Sequence, residues 1–192
     1  MNPQDLALTM KELEAVLMVS AEPISSERIS EILHLSIGDA EKALELLSDF
    51  YLRHDRGFYI QKVAQGYRYA VPPDLSQVLE KVALAKSPPR LSSAALETLA
   101  IVAYRQPVSR SQIADIRGVN SDYVLKMLAA RGYIETDTAN PKPGTPLYYS
   151  TTPLFLERLG LFSLEELPRV EKFAPASDVA EALEASLFEG TY

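Results

Sequence analysis

The chain repeats itself. Glu22-Pro23-Ile24-Ser25 is echoed 84 residues later by Gln106-Pro107-Val108-Ser109. The same offset pairs Ile29 with Ile113, Glu31 with Asp115, Ile32 with Ile116, Ala40 with Val124 and Leu44 with Leu128. Most of these matches are apolar and helically spaced, so they report a shared core and not a shared site. A 192-residue chain with such an echo is long enough for two small domains. The break between them falls at Ser87-Pro88-Pro89, because consecutive prolines cannot continue a helix. The expected division is a first domain over 1–86, a second over 91–168, and an acidic, Ala-rich, flexible tail over 169–192 with at most one short helix, around Val179 to Phe188.

Each copy reads as three helices followed by two strands. In the first, Thr9-Met10-Lys11-Glu12 has the form of a capping box, with Leu13, Val16 and Leu17 as an apolar stripe behind it. Ser25 is placed to cap a second helix that turns Ile29, Ile32 and Leu33 inward. Ser36 is placed to cap a third, with Ala40, Ala43, Leu44, Leu47 and Tyr51 on one face. Phe58, Ile60 and Val63, then Tyr67, Tyr69 and Val71, alternate around a turn at Gln65-Gly66. A connecting helix is expected over 74–86.

In the second copy, Leu91 and Leu96 bracket Ser92 as a hydrophobic staple, and Ser109-Arg110-Ser111-Gln112 is a further capping box. Gly118-Val119-Asn120-Ser121 reads as a turn that ends in a cap, and Gly132 as a helix stop. The segments 133–135 and 147–151 flank a Pro- and Gly-rich turn. The fold class is mainly α with small β-hairpins (α+β), in the form of tandem winged-helix domains.

Catalytic parts are scarce. The chain has no Cys, so disulfides, thiol catalysis and zinc fingers are excluded. His34 and His54 lack ligand-spaced partners and read as packing or solvated side chains. No Gly-rich phosphate loop is present, and Glu165-Glu166 reads as solvated surface. No catalytic, metal-binding or cofactor-binding residue is assigned, and no cofactor is expected. There is no membrane-length apolar run, and Met1 to Asp5 lacks the character of a signal peptide, so a soluble cytoplasmic protein is expected.

Charge bears on nucleic acid. Residues 1–86 carry 9 basic and 13 acidic side chains (−4), 87–164 carry 8 and 6 (+2), and 165–192 carry 2 and 7 (−5), which sum to the net −7. The third helix of the first copy sets Asp39, Glu41, Glu45 and Asp49 against Lys42 and Arg53, a face that phosphates would repel. Arg105, Arg110, Arg117 and Arg131 could make a small basic patch, or could cap helix ends and cover apolar surface. Weak or no direct DNA binding is expected, and a DNA-binding transcriptional regulator is the alternative reading.

The helix after Ser92 is unusual. Leu99-Ala100-Ile101-Val102-Ala103-Tyr104 is apolar all round and needs cover on every side. Its own domain, the other copy, a second chain or a partner segment could each supply it. Tyrosines gather in the hairpins, which suits either strand formation or interfaces. The residues offered for partner contact are Leu96, Leu99, Ile101, Val102, Tyr104, Arg105, Tyr148 and Tyr149. Those offered for dimerisation are Met10, Leu13, Leu17, Tyr67 and Tyr69.

The run from Leu91 to Pro107, LSSAALETLAIVAYRQP, resembles the signature of the bacterial segregation and condensation protein B family. The likeness continues through Ile116 to Ser121, Gly144 to Thr152, Leu159-Gly160-Leu161 and Leu164 to Pro168. Thr145 and Ser150 depart from it, where the family usually has Arg and Gly. The resemblance implies tandem winged-helix domains, a homodimer formed mainly through the first domain, and contact with the kleisin, segregation and condensation protein A, mainly through the second. It implies a non-catalytic accessory subunit of the SMC condensin that acts in chromosome condensation and segregation. The ATPase would belong to the SMC subunit, reached through the kleisin, and the protein would sit with the nucleoid.

Overall fold

A computed structural model of the chain describes residues 3–82, 90–137 and 146–169. The chain divides into two compact units between Lys86 and Ser87.

The first unit begins with α1 (Pro3–Val19). Thr9 therefore lies inside a helix and is buried, rather than opening one. The apolar row starts a turn earlier than the capping-box reading allowed, at Leu6, and Pro3 is tolerated in a first turn because its missing N–H is not needed there. Helix α2 (Ser26–Leu33) is capped by the Ser25 hydroxyl, which accepts from the Arg28 N–H at 3.2 Å. Its inner row is Ser26, Ile29 and Leu33; Ile32, expected inside, lies about 60–120° around the helix from those residues and is 41% exposed. Helix α3 (Ile37–Arg53) is capped by Ser36 and buries Ala40, Ala43, Leu44, Leu47 and Tyr51. Together with Leu13, Leu17, Ile29 and Ile60 these form the core of the unit.

Strands β1 (Tyr59–Val63) and β2 (Gly66–Ala70) make an antiparallel hairpin. Its corner is Ala64-Gln65, both at positive φ, and Gly66 is a strand residue paired with Val63 instead of a turn residue. The reason is crowding: a Cβ on Gly66 would stand 2.9 Å from the backbone carbons of Pro23 and Ile24. That approach lets Ile24 and Tyr67 exchange two backbone hydrogen bonds, at 3.0 and 2.9 Å. A 3-10 turn (Pro73–Leu75) and α4 (Ser76–Val82) follow.

The second unit opens with α5 (Ser93–Arg105), capped by Ser92, with Leu91 and Leu96 both buried. Strand β3 (Val108–Ser109) leads into α6 (Arg110–Arg117), where Ser109 and Gln112 form a reciprocal capping box. Helix α7 (Asp122–Ala130) departs from expectation at its start. The Ser121 side chain does not cap it; Asn120 Oδ1 accepts the Asp122 N–H at 2.8 Å instead. Ser121 is occupied as the acceptor of an Arg117 bond. Gly132, at φ 74°, follows the helix as its stop.

Strands β4 (Ile134–Thr136) and β5 (Tyr148–Thr151) complete a three-stranded antiparallel sheet in the order β3-β5-β4. The Pro- and Gly-rich turn, including Thr145, falls largely outside the described residues. Val108 pairs with Tyr149 as Ile24 pairs with Tyr67, so the repeated Pro-apolar-Ser turn does the same job twice. Helix α8 (Pro153–Leu159), capped by Thr152, was not anticipated; it buries Phe155 and Leu156. A 3-10 turn (Leu164–Glu166) ends the described chain shortly before Arg169, and most of the expected tail lies beyond it. Three helices followed by a hairpin, with a further short helix after it, recur in each unit and make this a tandem winged-helix fold.

Candidate partner-binding surfaces

Helix α5 is covered chiefly by its own unit. Leu96, Leu99 and Val102, offered for partner contact, are essentially inaccessible. They are core residues: α6, α7 and β5 wrap the helix, so a partner could reach them only by unfolding the unit. The six-residue apolar run thus marks a central helix. Ile101 and Tyr104 remain half-buried and Arg105 is exposed. Ala100, Tyr104 and Leu159 form a small separate apolar cluster.

The Tyr104 hydroxyl donates to the Pro168 carbonyl at 2.7 Å, and burial raises its pKa. Gln106 ties the end of α5 to β5, its Oε1 accepting from the Thr151 N–H at 2.7 Å. Tyr149 is half-buried in the central strand, whereas Tyr148 is exposed.

In the first unit Leu13 and Leu17 are buried between α1 and the other helices, so they cannot form a dimer contact from the folded unit. Met10 is half-buried against the same core. Tyr69 is half-buried among Tyr51 and Phe58, with ring centroids 5.9 and 5.0 Å away. Its hydroxyl lies 3.3 Å from that of Tyr51, which donates to Glu14 Oε1 at 2.6 Å. Burial, then the bond to Glu14, pushes the Tyr51 phenol well above its ordinary range; burial raises Tyr69 as well. Tyr67 is half-buried beneath Lys62, whose Nζ sits 5.8 Å from the ring centroid.

The accessible apolar side chains are others. On α1 they are Leu8, Met18 and Val19, the last 82% exposed. On α3 they are Ile37, Leu46, Phe50 and Leu52, and at the α6–α7 corner Ile116, Val119 and Tyr123. Which side of an apolar helix faces out was the missing information; in α1 the inner row 6-9-13-17 leaves Leu8, Met18 and Val19 outside.

Two of the four arginines offered for a basic patch are engaged in ion pairs. Arg117 is buried, with Nε and Nη2 on Glu97 Oε2 at 3.2 and 3.1 Å and Nη1 on Ser121 at 3.1 Å. Arg110 pairs with Asp122 at 3.0 Å. On α3 the acidic side chains Asp39, Glu41, Glu45 and Asp49 are exposed, with Arg53 paired to Asp49. His34 ends α2 in the left-handed region, and His54 ends α3 with Nδ1 2.7 Å from the Phe50 carbonyl oxygen. Glu166 accepts the Phe162 N–H at 2.6 Å, while a hydrogen bond from Ser163 lowers the pKa of Glu165. Among the described residues no three His, Cys, Asp or Glu side chains are grouped to hold a metal, and no helix is long and apolar enough to cross a membrane.

These units make a tandem winged-helix protein with exposed apolar side chains on α1, on α3 and at the α6–α7 corner, and with an acidic outer face on the third helix of the first unit. The family of segregation and condensation complex subunit ScpB matches residues 11–170. The chain is 41% identical over 166 residues to segregation and condensation protein B of Moorella thermoacetica, covering 86% of this chain and 85% of that one. It is 39% identical over 186 residues to the protein of that name from Halalkalibacterium halodurans, covering 94% and 93%. The crystal structure of ScpB from Mycobacterium tuberculosis is similar at 34% identity, covering 81% of this chain and 97% of that one, with a TM-score of 0.41. The chain belongs to the ScpB family of segregation and condensation subunits.

Proposed function

We propose that the chain is a non-catalytic accessory subunit of the bacterial SMC condensin, acting in the cytoplasm at the nucleoid. It binds the kleisin, segregation and condensation protein A, and meets the SMC ATPase through it. The observation that carries this reading is the family match across residues 11–170, which spans both winged-helix units.

The first unit joins two copies of the chain through the outer side of α1, where Leu8, Met18 and Val19 are exposed. The second takes the kleisin against Ile101, Tyr104, Arg105, Tyr148 and Tyr149. The driving force is apolar burial, about 25 cal/mol per Å² before the cost of association. The regulator reading has less support, because Arg110 and Arg117 are engaged in ion pairs and the outer face of α3 is acidic.

Co-purification with the kleisin tests the proposal. Tyr148→Asp changes an exposed side chain and leaves the core intact, so it should weaken kleisin capture at least tenfold without loss of folding. Val19→Asp should shift the free protein toward monomer. Full kleisin capture by the Tyr148 variant would remove the hairpin from the contact. Tight, steeply salt-dependent binding to DNA by the free protein would favour the regulator.

A further inference from the structure

We draw no further inference here: the strongest candidate, the exposed apolar corner that Ile116, Val119 and Tyr123 form between α6 and α7, carries nothing, because nothing in the structure shows what covers it.

Discussion

Ile24 and Val108 stand at the same place in their units, each bridged to a hairpin tyrosine, yet the polar groups behind them are unlike. In the first unit the Tyr51 and Tyr69 phenols and the Glu14 carboxylate form a chain, and the rings of Tyr51, Tyr69 and Phe58 meet edge-on or tilted. In the second a buried guanidinium, Arg117, is held between Glu97 and Ser121. The apolar pairs Ile29/Ile113 and Leu44/Leu128 stay fully buried in both. Helix packing geometry constrains the apolar positions alike in the two copies, whereas a buried polar group needs only some satisfied partner, and the two units have found different ones.

The sharpest way to break this comparison is to open the shared core on each side in turn. Leu44→Ala and Leu128→Ala should each cost about 2–5 kcal/mol. Amide exchange should then show lost protection confined to residues 3–82 for the first and to 90–169 for the second. Collapse of both units from either substitution would mean that the repeat is not two folding units.

Next in size is Gly66→Ala, which drives a methyl group into the backbone of Pro23 and Ile24 and should cost about 1–3 kcal/mol as overpacking. Thermal unfolding of the first unit checks it; a neutral result would show that the hairpin can pull away from the Ile24 bridge.

The polar chain of the first unit predicts an alkaline weakness. Tyr51 holds its proton more tightly folded than unfolded, where its pKa is about 10. Above that pH the unfolded state loses a proton that the folded state keeps, so stability falls as pH rises. Tyr51→Phe should cost about 1 kcal/mol at neutral pH and flatten the decline above pH ~10. An equally steep decline in the variant would assign it to other groups.

The smallest effect tests a repeated surface position. Ile32 and Ile116 match in the repeat but are 41% and 55% exposed, so Ile32→Glu and Ile116→Glu should each change stability by less than about 0.5 kcal/mol. A larger loss in denaturant unfolding would mean that the equivalent position is covered in the assembled protein.

Much of the frame was legible because it rests on local chemistry. Ser25, Ser36, Ser92 and Ser109 cap the helices that their spacing predicts, and the buried face of α3 follows from its period. Where side chains compete for one role, the sequence was silent. Ser121 and Asn120 could each cap α7, and the claim of Arg117 on Ser121 decided it. Helix α8 was overlooked although Thr152-Pro153 is an N-cap followed by a favoured first residue.

The contact surfaces were read least well, for a single reason. An all-apolar helix such as α5 carries no internal sign of which side meets solvent, so Leu99 and Tyr104 look alike until the surrounding elements are in place. Burial of Leu13 and Leu17 by α2 and α3 has the same origin, and it moved the accessible side of α1 to Leu8, Met18 and Val19.

Light scattering of the chain alone and mixed with its kleisin measures the central claim. The account predicts twice the chain mass for the free protein and a discrete heavier complex on mixing. A lone 21.3 kDa particle that leaves the kleisin unchanged would contradict it.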